Sequence, residues 1–183
     1  MPGGAVLIVG AAIAGAVVID YGVRAIKPAF ATTPAAAGAS SSSVSLQPTT
    51  GPAGAERMLA AATAVSALHI GYSQSVQTTG LLAGFRADCS GFVSYLVSQA
   101  VPSFGDQTTV TIPTDPNISS GQGQYVTLWD RPQAGDAGHV IIEILGRWFE
   151  SGGQATDGPS EITSSQAAAE IQNGMSAYHP NGL

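Results

Sequence analysis

One cysteine in 183 residues leaves no partner for a disulfide within the chain, so Cys89 is either a buried small side chain or a working thiol. Charge is equally scarce: charged residues make up 10% of the chain, with six Lys and Arg against twelve Asp and Glu. The net charge of −6 provides no basic stripe for a phosphate backbone, which excludes nucleic acid as a partner. Three histidines and one cysteine share no ligand spacing, so neither a metal site nor a cofactor is expected. Gly121-Gln122-Gly123 lacks the third glycine of a nucleotide loop, and Ser90-Gly91 lacks the flanking glycine of a serine elbow.

The length suffices for one domain with appendages, an α+β core that needs no cross-links. From Gly3 to Ile19, or to Val23, runs an apolar stretch long enough to span a bilayer as a helix. Three readings stay open there: a membrane anchor, a cleaved signal peptide and a helix of a soluble domain. No basic residue precedes the run, and the A-x-A pattern Ala29-Phe30-Ala31 lies too far beyond it for signal cleavage, so the anchor is favoured. Residues 1–27 are read as this anchor. Residues 28–55, rich in Pro, Ala, Ser and Thr, cannot bury enough apolar area to offset their ordering entropy and read as a disordered tether. Residues 56–183 form the head.

Within the head, apolar spacing predicts a helix from Glu56 to Ile70, closed by His69, and a second one opening at Cys89 and ending before Pro102. Thr108 to Ile112, Tyr125 to Trp129, His139 to Leu145 and Arg147 to Glu150 read as strands, with residues 113–123 as a loop. A surface helix is expected from Glu161 to Asn173. Trp129 is either a groove residue or a core residue, and His179 is structural or incidental.

The chemistry concentrates in two stretches. Asp88-Cys89-Ser90-Gly91-Phe92-Val93 places a lone thiol at a helix start, where orphan N–H groups and the helix dipole favour the thiolate. About fifty residues on, Gly135-Asp136-Ala137-Gly138-His139-Val140 puts a histidine behind a turn, at the mouth of a β-branched strand. A thiol on a helix N-terminus facing an imidazole on a strand can act as nucleophile and base, if the two come within hydrogen-bond reach.

These blocks, with Tyr72 upstream, resemble the NlpC-type cell-wall cysteine peptidases over roughly residues 56–183. The resemblance implies a papain-like fold of helices packed on a small antiparallel sheet, and hydrolysis of an amide in a peptidoglycan stem peptide through an acyl-enzyme. It makes Cys89 the nucleophile and His139 the base and then acid. Glu150 or Ser151, on the strand after the histidine, takes the position of a third polar residue that orients the imidazole. The Cys89 N–H, with Tyr72, takes the oxyanion. The chain departs from the family in Gly71-Tyr72-Ser73-Gln74, where an aromatic and paired glycines usually follow the tyrosine, and in carrying Glu150 or Ser151 where His, Asn or Gln is usual.

Three readings of function follow. The first is a membrane-anchored peptidoglycan hydrolase whose head lies outside the cytoplasm, or one carried in a viral particle. The second is a catalytically silent component of an envelope or virion that binds cell wall on the same fold. The third is an acyltransferase on that scaffold. Arg24 and Lys27 after the apolar run argue weakly for a head inside, against the location of the substrate.

Overall fold

The computed structural model describes residues 48–183. The apolar run at 3–23 and most of the linker therefore lie outside the described residues. Helix α1 spans Gly51–Ser66 and α2 Cys89–Ser98. The strands are β1 Ile118–Ser120, β2 Val126–Arg131, β3 His139–Ile144, β4 Arg147–Gly152, β5 Ala155–Ile162 and β6 Ser176–Pro180, with α3 at Ser164–Gln172 between the last two. The described residues are thus mixed α+β, three helices with one six-stranded sheet in the order β1-β6-β2-β3-β4-β5, every neighbouring pair antiparallel. No helix among the described residues is long and apolar enough to cross a membrane.

Helix α1 starts at Gly51, inside the stretch read as linker, and stops at Ser66, short of His69. Pro52 suits a first helical turn, where its missing N–H has no acceptor to lose. Ala55, Met58, Ala62 and Val65 then recur on one buried face. His69 sits beyond the helix at φ +48° and is exposed. The segment ahead of the helix is tied to the core by the Thr49 N–H on the Ala100 carbonyl, and its first residue by the Gly51 N–H on that of Gly182.

The sheet separates two apolar layers because side chains alternate along each strand. Val126, Leu128, Val140, Ile142, Ile144 and Phe149 join α1 and α2 in the main core. Ile141, Ala155, Ile162 and Ala167 form a smaller cluster that carries Trp129 and Trp148. Trp129 is therefore a packing residue, not a groove residue.

Four sequence expectations differ from the structure. Thr108 to Ile112 is a turn leading into a 3-10 turn at Ile112–Thr114: the Thr108 carbonyl accepts from the N–H groups of Thr111 and Ile112, and the Thr111 hydroxyl accepts from the Thr108 N–H. Threonine hydroxyls here satisfy the backbone that a strand would have paired. The loop expected at 113–123 contains β1, which pairs with β6 at one end of the strand order. Strands β5 and β6 are polar and were not foreseen. The final helix begins at Ser164 rather than Glu161, because Thr163 forms a capping box with Gln166 and ends β5 there.

Candidate active site

Asp88 caps α2: its Oδ1 accepts from the Gly91 N–H at 2.7 Å. This fixes the helix start so that Cys89 is its first residue, with a backbone N–H that has no acceptor within the helix. Gly91 is required for the same reason. A Cβ there would stand 2.5 Å from the Arg86 carbonyl oxygen, so only glycine lets the approaching chain lie this close to the helix. Arg86 completes the collar. Its guanidinium donates to Asp106 and to Asp88 at 3.0 Å each, to the Ser90 hydroxyl at 3.1 Å and to the Gln107 carbonyl. It also places a fixed positive charge in the field of Cys89.

His139, first residue of β3, is buried between two partners. Its Nε2 lies 3.0 Å from Glu150 Oε2, and the Cys89 side chain is near enough to bear on its protonation. Burial alone would lower the histidine pKa. The hydrogen bonds and charges of Cys89 and Glu150 outweigh it and hold the pKa up at about 9. Glu150 is fully buried, and its Oε1 accepts from the Ala155 N–H at 2.7 Å, so the carboxylate is held at both oxygens.

Of the two candidates for the third position, only Glu150 reaches the imidazole. Ser151 is one step along β4 and points to the opposite face, where its hydroxyl donates to the Ala87 carbonyl at 2.6 Å. Its place is beneath the cysteine helix, as a tie between β4 and the segment entering α2. Tyr72 is exposed on the wall of the cleft, with its ring edge 3.1 Å from where a Cβ on Gly152 would be. The cleft has a volume of about 930 Å³, and Cys89 and His139 both open into it. His179 lies on β6, where its Nδ1 is 3.1 Å from the Gly121 carbonyl oxygen.

Three residues of the site carried no sequence signal strong enough to be singled out. Arg86 stands two residues before Asp88, a spacing that had no interpretation until the loop folded back over the helix. Asp130, on β2 beside β3, is fully buried, and neither carboxylate oxygen finds a hydrogen-bond partner among the described residues. Burial pushes its pKa up to about 7, against the pull of the neighbouring His139 charge. Glu170, on α3, brings a second carboxylate to the histidine: ligand atoms of His139, Glu150 and Glu170 all lie within 4.8 Å of one another. The expectation that no metal-ligating group exists was drawn from Cys and His spacing, and this set draws on a single histidine.

The arrangement sets a thiol and an imidazole held by a carboxylate in one cleft, where a proton can move between them. Comparison with protein-family models, curated proteins and solved structures finds no match to the chain.

Proposed function

We propose that the head is a papain-like cysteine peptidase of the NlpC type that hydrolyses an amide bond in a peptidoglycan stem peptide. The observation that carries this reading is the position of His139, with Glu150 Oε2 3.0 Å from Nε2 and with Cys89 lining the same cleft. A buried imidazole held from one side by a carboxylate and presented to a lone thiol on a helix N-terminus has the parts of a nucleophile–base pair in order.

In this mechanism the Cys89 sulfur attacks the scissile carbonyl carbon, and His139 takes the thiol proton. The oxyanion faces the Cys89 N–H at the positive end of α2, with Tyr72 beside it. His139 returns the proton to the leaving amine, the C–N bond breaks and a thioester remains. Water, deprotonated by the same imidazole, then releases the acid and the free thiol. Glu150 keeps the ring oriented and stabilises its charged form throughout.

The peptidoglycan substrate follows from the resemblance of Asp88-Cys89-Ser90-Gly91 and Gly138-His139-Val140 to the family. With it goes placement of the head outside the cytoplasm, tethered through residues 3–23, or in a viral particle that meets the wall from outside. Digestion of purified peptidoglycan, with the new termini identified by mass spectrometry, tests the reaction. New amine and carboxyl termini in one stem peptide are expected, and their absence together with failure of a thiol-reactive probe to label Cys89 would leave a silent wall-binding module. An added amine acceptor distinguishes hydrolysis from acyl transfer. Protease protection of the linker in intact spheroplasts would rule out an extracytoplasmic head for a cellular protein.

A further inference from the structure

We infer that His139, Glu150 and Glu170 form a binding site for a transition-metal dication of the zinc type, and that its occupancy silences the Cys89–His139 pair. The three residues come from β3, β4 and α3, all are buried, and their ligand atoms lie within 4.8 Å of one another.

Two further features suit the site to a cation. Each carboxylate has one oxygen tethered by an amide: Glu150 Oε1 accepts from the Ala155 N–H at 2.7 Å, and Glu170 Oε1 accepts from Gln154 Nε2 at 3.2 Å. Tethering of this kind orients a ligating carboxylate, and Glu150 Oε2, which rests on His139 Nε2, is the oxygen that would turn to the metal. The second feature is Gly153. A Cβ there would stand 2.7 Å from His139 Nε2 and 2.9 Å from Glu150 Oε2, so its absence leaves a space flanking both donor atoms. A zinc ion needs about 2.0–2.2 Å to nitrogen and oxygen, a contraction that small side-chain rotations supply.

The donor set selects the ion. One imidazole and two carboxylates around a dication are neutral together, which suits a buried position. A nitrogen ligand favours zinc and its first-row neighbours over magnesium or calcium, which prefer oxygen alone.

Occupancy has a defined consequence. The metal takes the Nε2 lone pair, so the imidazole is neutral and its one proton sits on Nδ1. That ring can no longer accept the thiol proton. Metal binding stands independently of the proposed reaction, and silencing rests on it.

The test uses the full chain in detergent, freed of metal by EDTA and dialysis, with zinc chloride and magnesium chloride titrated calorimetrically. Cys89→Ser and Glu170→Gln variants run in parallel, their folding checked by thermal melts. Wild type and Cys89→Ser should each bind one zinc in preference to magnesium, and Glu170→Gln should bind it at least about tenfold more weakly. Zinc should slow alkylation of Cys89 by iodoacetamide in wild type and should inhibit its peptidoglycan digestion, with Glu170→Gln scored against its own metal-free rate and Cys89→Ser read for metal binding alone. Equal zinc affinity in wild type and Glu170→Gln, loss of binding in Cys89→Ser, or alkylation indifferent to bound zinc overturns the inference. Zinc binding as expected in a protein that never digests peptidoglycan would instead retire the proposed reaction and leave the metal site standing.

Discussion

Gly153 lies against the edge of His139: a side chain there would begin 2.7 Å from Nε2 and 2.9 Å from Glu150 Oε2, at a backbone φ of +56° that favours glycine. The contact between the imidazole and its carboxylate exists only because this position has no Cβ. Gly153→Ala is expected to displace the ring and lower kcat/KM by about 100-fold, the cost of a misplacement on the order of 1 Å. Steady-state digestion kinetics check this, and a rate near wild type would mean that the pair tolerates the displacement.

Cys89→Ser and His139→Ala should each abolish peptidoglycan turnover and leave the head folded. The double variant should be no worse than either single one, because nucleophile and base act as a unit. Circular dichroism and release of soluble fragments check the two halves of the claim. Turnover by either variant at close to the wild-type rate would reject the assignment.

Glu150→Gln and Ser151→Ala should separate cleanly. The first removes the charge opposite Nε2, so the His139 pKa falls from about 9 and activity drops by about 100-fold or more, as imidazole orientation is lost. NMR titration of the ring reads the shift directly. Ser151→Ala leaves the Ala87 carbonyl without its 2.6 Å hydrogen bond, which should cost about 1–3 kcal/mol of stability and little of the chemistry. Activity lost in Ser151→Ala but kept in Glu150→Gln would reverse the two roles.

Stability should fall with rising pH in two windows. Asp130 has a folded pKa raised from 3.8 to about 7, so the folded state binds the extra proton, and stability is full below about pH 4 and declines toward pH 7. His139, raised from 6.5 to about 9, adds stability that is complete below pH 6.5 and lost as pH rises through 9. Asp130→Asn should flatten the first window and His139→Ala the second. Denaturant melts from pH 4 to 10 in EDTA, compared across the three proteins, provide the measurement.

The sequence alone determined the thiol's place and the histidine's. Cys89 opens an apolar periodic run, and His139 opens a β-branched run behind a Gly-rich turn; both signals are local, so they survive without knowledge of the fold. The choice between Glu150 and Ser151 was nearly legible too, since strand alternation puts only one of them on the imidazole's face. Which one depends on register: Ile142 pairs with Phe149 and Glu143 with Trp148, and the sequence does not state that pairing. Strands β5 and β6 were invisible because polar, Gly- and Pro-bearing segments such as Asp157-Gly158-Pro159 have no intrinsic strand preference, and their backbones become strands by pairing with β4 and β2. Glu170, Asp130 and Arg86 belong to the tertiary structure alone. Glu170 and Asp130 reach the site from another helix and a neighbouring strand, and Arg86, close to Cys89 in sequence, is fixed there by Asp106 and Gln107 about twenty residues on; only packing sets distances of that kind.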